Sequence, residues 1–315
     1  MNNRRSFIVG IKSSKLSTKE KIFLKKYKPW GIILFTRNIK NIKQALSLTS
    51  SIRKIFNDKN YPILIDQEGG RVNRLKNIIS FDNLTSEFFG SKFIKNFKEF
   101  KFFYKLFVDK TSYLLKSIGV NINTVPVLDL RVKNASNVIG DRSFSHNYKI
   151  VSKIGDYCIQ YFKENRIGTV IKHIPGHGLA KVDSHYKTPI VNKKKGYLIN
   201  NDFAAFKNKN TFFAMTAHIV FNKIDNKNTV THSKKMIKLI RNKIGFKNIL
   251  ISDDLSMKSL KGPLKMNTIN TFNAGCNLAL HCNGNFKEME VVGKNSPLIN
   301  NFILKKTSQF YKILR

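Results

Sequence analysis

Acidic residues are scarce in this 315-residue chain: 19 Asp and Glu stand against 57 Lys and Arg, for a net charge of +38. A charge of that size favours polyanions through counterion release. The lysines nevertheless run along the whole sequence without gathering into one basic block, and they accompany an excess of Asn, Ile and Phe. That pattern reads as compositional drift rather than a selected nucleic-acid surface. Cysteine is nearly absent as well. Cys158, Cys276 and Cys282 cannot all pair, and none forms a C-x-x-C motif, which excludes a disulfide framework and predicts reduced thiols. Long apolar runs are missing. No stretch approaches the roughly 18 residues of a membrane span, and the opening MNNRRSFIVGIK falls short of the about 7–15 apolar residues of a secretory signal. The expected location is the cytoplasm. No Pro-, Gly- or Ser-rich linker and no internal repeat interrupt the chain, so residues 1–315 are expected to form a single domain.

What is present is an alternation of short apolar runs with helix-period segments. Candidate strands cover 7–11, 31–35, 62–66, 120–129, 169–174, 212–218, 248–253 and 277–282. They are short, apolar and mostly β-branched, as strands buried on both faces should be. Between them, Ile150, Val151, Ile154, Cys158 and Phe162 form one helical apolar face. A second helix starts at Ser233 as N-cap and ends at Gly245. A third carries Phe103, Phe107, Leu114, Leu115 and Ile118. Weaker helical patterns cover 22–27, 42–56 and 266–274, the segment 200–207 is too short to assign, and the last twenty residues read as a closing helix. Alternating strands and helices imply a parallel sheet. Eight such units in about 250–300 residues predict an α/β fold of the (β/α)8 TIM-barrel type.

Polar residues sit at the ends of the apolar runs. Asp66 opens Asp66-Gln67-Glu68-Gly69-Gly70-Arg71, Asp129 ends the next run, and Lys172-His173, His218 and Asp253-Asp254 follow in turn. In such barrels catalytic groups gather at the carboxyl ends of the strands. The runs Ile65 to Arg74 (IDQEGGRVNR), Lys172 to Gly178 (KHIPGHG), Asp183-Ser184-His185 and Ser252 to Met257 (SDDLSM) resemble the β-N-acetylhexosaminidases of glycoside hydrolase family 3. Lesser matches at 31–38, 126–129 and 274–277 fall in the same order, so the resemblance runs from residue 31 to about 283. The resemblance implies a TIM barrel, a retaining mechanism through a covalent glycosyl-enzyme and, for bacterial members of this size, release of N-acetylglucosamine from peptidoglycan fragments during cell-wall recycling. Carried over by position, it makes Asp253 the nucleophile and His185 the proton donor, with Asp183 orienting it. It makes Asp66, Arg74, Arg142, Lys172 and His173 the residues that hold the sugar. Departures are Ile174 where the family usually has Phe, Asp141 and Phe144 where it has Glu and Tyr, and Thr216 where it often has Pro.

The residue chemistry agrees with these roles. A retaining glycosidase needs a carboxylate below the anomeric carbon and a proton donor beside the leaving oxygen. Histidine can both give and take that proton near neutral pH, and a carboxylate two residues earlier can fix its tautomer. The segment after Gly176 and Gly178 has weak helix and strand signals and is expected to close over bound sugar. Asp254 suits capping or hydrogen bonding, Glu68 bracing of its loop, Gly69-Gly70 a tight turn, and Asp129 and His218 support of the pocket. The spacing of His173, His177 and His185 matches no helical zinc motif, so neither metal nor cofactor is expected. The expected partner is a small muropeptide or amino-sugar substrate, with no specific nucleic acid, no membrane and a monomeric chain. Two other readings stay open: a phosphorylase using the same residues, and a degenerate barrel that binds polyanions.

Overall fold

A computed structural model describes residues 3–315. The chain begins with β1 (Arg5–Gly10), α1 (Thr18–Tyr27), β2 (Pro29–Leu34), α2 (Ile42–Phe56) and β3 (Ile63–Ile65). It continues through α3 (Ser86–Lys95), α4 (Phe97–Ser117), β4 (Ile122–Asn123), α5 (Tyr148–Glu164) and β5 (Gly168–Ile174). Then come β6 (Ile190–Val191), α6 (Lys195–Asn200), β7 (Phe213–Thr216), β8 (Val220–Phe221) and α7 (Lys234–Leu239). The last elements are β9 (Ile249–Asp254), α8 (Leu264–Ala274), β10 (Leu278–His281), α9 (Phe286–Asn295) and α10 (Asn301–Ile313). Strands β1, β2, β3, β4, β5, β7, β9 and β10 pair in parallel in that order, and β10 returns to β1 to close a barrel. This is the (β/α)8 barrel that the alternation predicts.

Pleating sorts each strand into two faces. Ile8, Ile33, Leu64, Ile122, Val170, Phe213, Ile249 and Leu278 belong to one cluster inside the barrel. Their neighbours Phe7, Ile32, Ile63, Ile171, Ala214, Leu250 and Ala279 face outward into the layer beneath the helices. α10 closes the floor: Phe310 meets the Phe213 ring edge-on at 5.2 Å, and the Trp30 indole N–H donates to Thr307 Oγ1 at 2.9 Å. A buried indole needs such a partner.

Several boundaries differ from the sequence expectation. The run 120–129 pairs as a strand only at Ile122–Asn123, followed by a single bridge from Val127 to Lys172; Pro126 has no N–H to give a ladder. Ser233 caps α7 as expected, its Oγ accepting from the Met236 N–H at 3.1 Å. The helix then widens into a π-type turn, Ile240–Ile244, before Gly245 ends it with φ 84°. The unassigned 200–207 stretch is a 3-10 segment, Asp202–Phe206. Phe103 is exposed rather than packed, although Phe107, one turn later, is buried. Unforeseen elements are α3, α6, α9 and the two-stranded sheet of β6 and β8.

The floor yields a stability prediction. Phe310→Ala leaves a ring-sized void under Phe213 and is expected to cost about 3–5 kcal/mol in urea unfolding. A loss below about 1 kcal/mol would show that the floor collapses around the void instead of depending on that ring.

Candidate active site

The strand parity that fills the barrel also builds its mouth. Two residues beyond Leu64 stands Asp66, beyond Ile122 stands Thr124, and beyond Val170 stands Lys172. In the same way Asp253 follows Ile251, and Cys282 follows Leu280. With the loops that follow, Asp66, Lys172, Asp253 and Cys282 enclose a cavity of about 230 Å³, and Thr124 stands behind them. Asp253, His185, Asp183, Asp66, Arg74, Arg142, Lys172 and His173 all line it. Residues singled out along 188 positions of sequence therefore share one cavity, with Asp66 and Lys172 on one wall. Lys172 and His173 both face the cavity although they are adjacent. The peptide between them is cis, and the register against β7 shifts between Lys172 and Ile174.

One charge cluster organises this wall. The side chains of Lys172 and Glu68 are each only 3% exposed and meet at 2.6 Å. Lys172 Nζ also donates to Asp66 Oδ1 at 3.0 Å and to Thr124 Oγ1 at 3.0 Å. The Thr124 hydroxyl donates to the same Asp66 oxygen, and Arg74 lies 3.6 Å from Oδ2. Arg142 grips Glu68 with both arms of its fork, Nε at 2.8 Å and Nη2 at 2.9 Å, and gives Nη1 to the Val138 carbonyl. Arg142 lines the cavity, yet most of its donors are committed, leaving fewer for a ligand than the sequence reading assumes. Glu68 braces its loop as expected. Gly69 (φ 92°) and Gly70 (φ 54°) make the turn that returns this loop, and a Cβ at Gly69 would fall 2.3 Å from the Leu84 carbonyl oxygen.

Asp253 stands opposite, half-buried at the end of β9. Burial opposes its ionisation, but His218, His173 and the Asp254 N–H, which donates to Oδ1 at 2.8 Å, hold its pKa below the usual carboxylate value. It is therefore a carboxylate at neutral pH. Asp254 turns away from the cavity task. It accepts from Ser256 Oγ at 2.7 Å and from the Cys282 N–H at 3.1 Å, as its expected bonding role requires. Asp129 is fully buried beneath the histidines; it accepts from His173 Nδ1 at 2.7 Å and from the His177 N–H at 2.7 Å. Burial and the neighbouring His173 push His177 down to about 4, so that imidazole is neutral. The His218 Nε2–H donates to the Asp254 carbonyl at 3.1 Å, which leaves Nδ1 to accept from Thr231 at 2.8 Å. Asp129 and His218 thus support the pocket from below.

His185 differs in kind. Its side chain is 60% exposed, on the segment between β5 and β6. Nδ1 donates to Asp183 Oδ1 at 2.8 Å, and the same oxygen takes the His185 backbone N–H at 2.9 Å. That leaves Nε2 free to exchange a proton. The segment is pinned at both ends. Gly178 lies so close to the Leu130 carbonyl oxygen that a Cβ would fall 2.2 Å from it. At the far end Thr188 Oγ1 donates to the Ser259 carbonyl, and the Val220 N–H donates to the Pro189 carbonyl. Sequence reasoning missed Thr124, Ser184, which meets His177 Nε2 at 3.1 Å, and the β6–β8 anchor. Thr124 was findable, because it continues the interior parity of Ile122.

The arrangement is a carboxylate facing an oriented imidazole across a cavity rich in hydrogen-bonding charge. Residues 7–301 match the Glycosyl hydrolase family 3 N terminal domain. The chain belongs to glycosyl hydrolase family 3. It is accordingly a glycoside hydrolase, and the match extends beyond the 31–283 stretch that the motifs alone cover. Among family 3 relatives, the Beta-hexosaminidase of Actinobacillus pleuropneumoniae is 31% identical over 88% of this chain and 80% of its own. That of Psychromonas ingrahamii is 30% identical over 98% of this chain and 90% of its own. Among solved structures, NagZ from Neisseria gonorrhoeae in complex with N-trifluoroacetyl-D-glucosamine superposes with a TM-score of 0.87 at 26% identity, covering 99% of this chain and 90% of that one.

In this family 3 hydrolase the charge cluster should be visible in acid. Burial alone would raise Glu68, but Arg142 and Lys172 outweigh it and hold the carboxyl at about 2. An unfolded glutamate titrates near about 4.3. Because the folded pKa is the lower one, the stabilisation is complete above about 4.3 and is lost as pH falls toward the folded value. Glu68→Gln should unfold at lower urea than the wild type at neutral pH and show a shallower decline across that acid window. Parallel curves of urea midpoint against pH for the two forms would remove this linkage.

Proposed function

We propose that the chain is a retaining exo-β-N-acetylglucosaminidase that removes terminal N-acetylglucosamine from peptidoglycan-derived fragments, with Asp253 as nucleophile and His185 as acid/base. The observation that carries this reading is the shared cavity: an ionised Asp253 aimed from a rigid strand end, and a His185–Asp183 pair on the segment above it. The relatives' names and the amino sugar bound in the Neisseria NagZ structure support the substrate class.

The steps follow from the residues present. Asp253 attacks the anomeric carbon while the Nε2–H of His185 protonates the departing glycosidic oxygen, so the aglycone leaves as an alcohol and a glycosyl ester forms. Nε2, now a free base, then takes a proton from water as that water attacks the same carbon, which releases sugar and restores the Asp253 carboxylate. Asp183 stabilises the imidazolium that precedes the first half-reaction and is restored by the second. Asp66, Arg74, Lys172 and His173 hold the sugar hydroxyls, with Arg142 acting through Glu68. Closure of the 176–189 segment brings His185 to the leaving oxygen and excludes water until the aglycone departs. Residues 1–315 act as one catalytic unit, a monomer working in the cytoplasm.

Two substitutions test the assignment with an aryl β-N-acetylglucosaminide. Asp253→Ala should abolish release of the chromophore, and ordinary turnover by that variant would sink the proposal. His185→Ala should lose about 100- to 10,000-fold on an unactivated leaving group. With a strongly acidic phenol as leaving group the loss should shrink, because no proton is then needed. An equal loss on both substrates would assign His185 to binding instead.

A further inference from the structure

Exposed aromatic side chains are concentrated on one part of the surface. Among the described residues, the exposed phenylalanines are Phe88, Phe97, Phe102, Phe103 and Phe302, and all except Phe302 lie on α3 and α4. On α4, Phe102, Leu106 and Tyr113 recur at helical spacing along the side turned away from the barrel; Phe102 is 65% and Tyr113 62% exposed. The opposite side of the helix buries Phe100, Tyr104, Phe107, Val108 and Leu115. This helix is therefore apolar on both sides, which packing against the barrel does not explain.

Lysines are interleaved with these rings. Lys92 Nζ lies 5.4 Å from the Phe88 ring and 5.1 Å from the Phe103 ring, which joins α3 and α4 into one surface. Lys101 stands 6.0 Å from Phe97, and Lys110 5.8 Å from Tyr113. None of these residues lines the active-site cavity. A second copy of the chain would set these ammonium groups against their equivalents. Single-stranded nucleic acid needs a groove that tracks its backbone and presents rings for stacking, whereas Phe102, Leu106 and Tyr113 line none of the main cavities and Leu106 has no ring to stack. An anionic bilayer matches both halves of the surface. Its headgroup boundary takes Phe, Leu and Tyr, while lysine stems lie along the apolar surface and reach lipid phosphates.

We propose that the outer face of α3 and α4 docks the enzyme peripherally on an anionic lipid surface. The absence of a spanning segment, on which the sequence expectation of no membrane partner rests, does not bear on peripheral docking. The proposal is independent of the chemistry at Asp253, since the face lies outside the cavity.

Flotation of the full chain with vesicles of phosphatidylcholine, with and without phosphatidylglycerol, tests it. The comparison protein carries Phe102→Ser, Leu106→Ser and Tyr113→Ser together, which leaves every charge in place; its circular dichroism and urea midpoint report that it still folds. The wild type should float with phosphatidylglycerol vesicles and remain largely bound at about 0.5 M salt, where screening shortens to about 4 Å. The triple variant should partition at least about 10-fold more weakly. Equal flotation of the two proteins, complete release of the wild type by salt, or equal binding to vesicles lacking phosphatidylglycerol would each overturn the proposal. So would a dimer, or a tight RNA complex, that disappears with the triple variant.

Discussion

An ammonium group withdrawn from water must find carboxylates, and the one on Lys172 determines how the mouth of this barrel is built. Its desolvation is offset only if the geometry is close and the remaining protons are satisfied. Asp66, Glu68 and Thr124 meet that demand at 3.0, 2.6 and 3.0 Å. Three consecutive strands, β3, β4 and β5, are thereby tied at their carboxyl ends. Glu68 extends the constraint outward, because its other hydrogen bonds hold Arg142 on the following loop. The cavity wall is thus fixed before any sugar arrives, with cation and carboxylate already ionised and aimed.

The opposite wall is built from histidines. Asp129 and Thr231 fix the rings of His173 and His218, and burial lowers the pKa of His218 and His177. Asp253 is therefore flanked by imidazoles, and these with the Asp254 N–H outweigh the effect of burial and hold its pKa below the usual carboxylate value. His185 lies outside this rigid frame. Its only ordered side-chain partner among the described residues is Asp183, two positions away, so the pair can travel as a unit. A carboxylate fixed at a strand end and an imidazole carried on a separate segment are thus held independently of each other.

Much of this was legible because barrel strands display their logic locally. An apolar run that ends in Asp or Lys signals a strand whose last interior position opens into a pocket, and Asp66, Lys172 and Asp253 all carry that signal. Thr124 carries only the interior parity of Ile122, which is easily overlooked because threonine is an ordinary strand residue and 120–129 reads as one continuous run through Pro126. The pairing of Arg142 with Glu68 was not legible, because the two are 74 residues apart, a distance at which pairing has no sequence signature. Phe103 was placed inside because α4 carries apolar residues around most of its circumference, so periodicity could not choose the buried side. β6 and β8 are two residues each, too short for any pattern.

Composition is the last constraint. With only 19 acidic residues in the chain, Asp66, Glu68, Asp129, Asp183, Asp253 and Asp254 all stand at or beneath the cavity. Loss of acidic residues elsewhere is tolerated because an isolated surface ion pair contributes little. Loss at the mouth is not, because each of these carboxylates neutralises a buried cation, orients a ring, anchors backbone or faces the cavity. The surplus of lysine then has a consequence that needs no dedicated patch. The field of so many unpaired cations raises encounter rates with anions of any kind and leaves a neutral sugar unaffected.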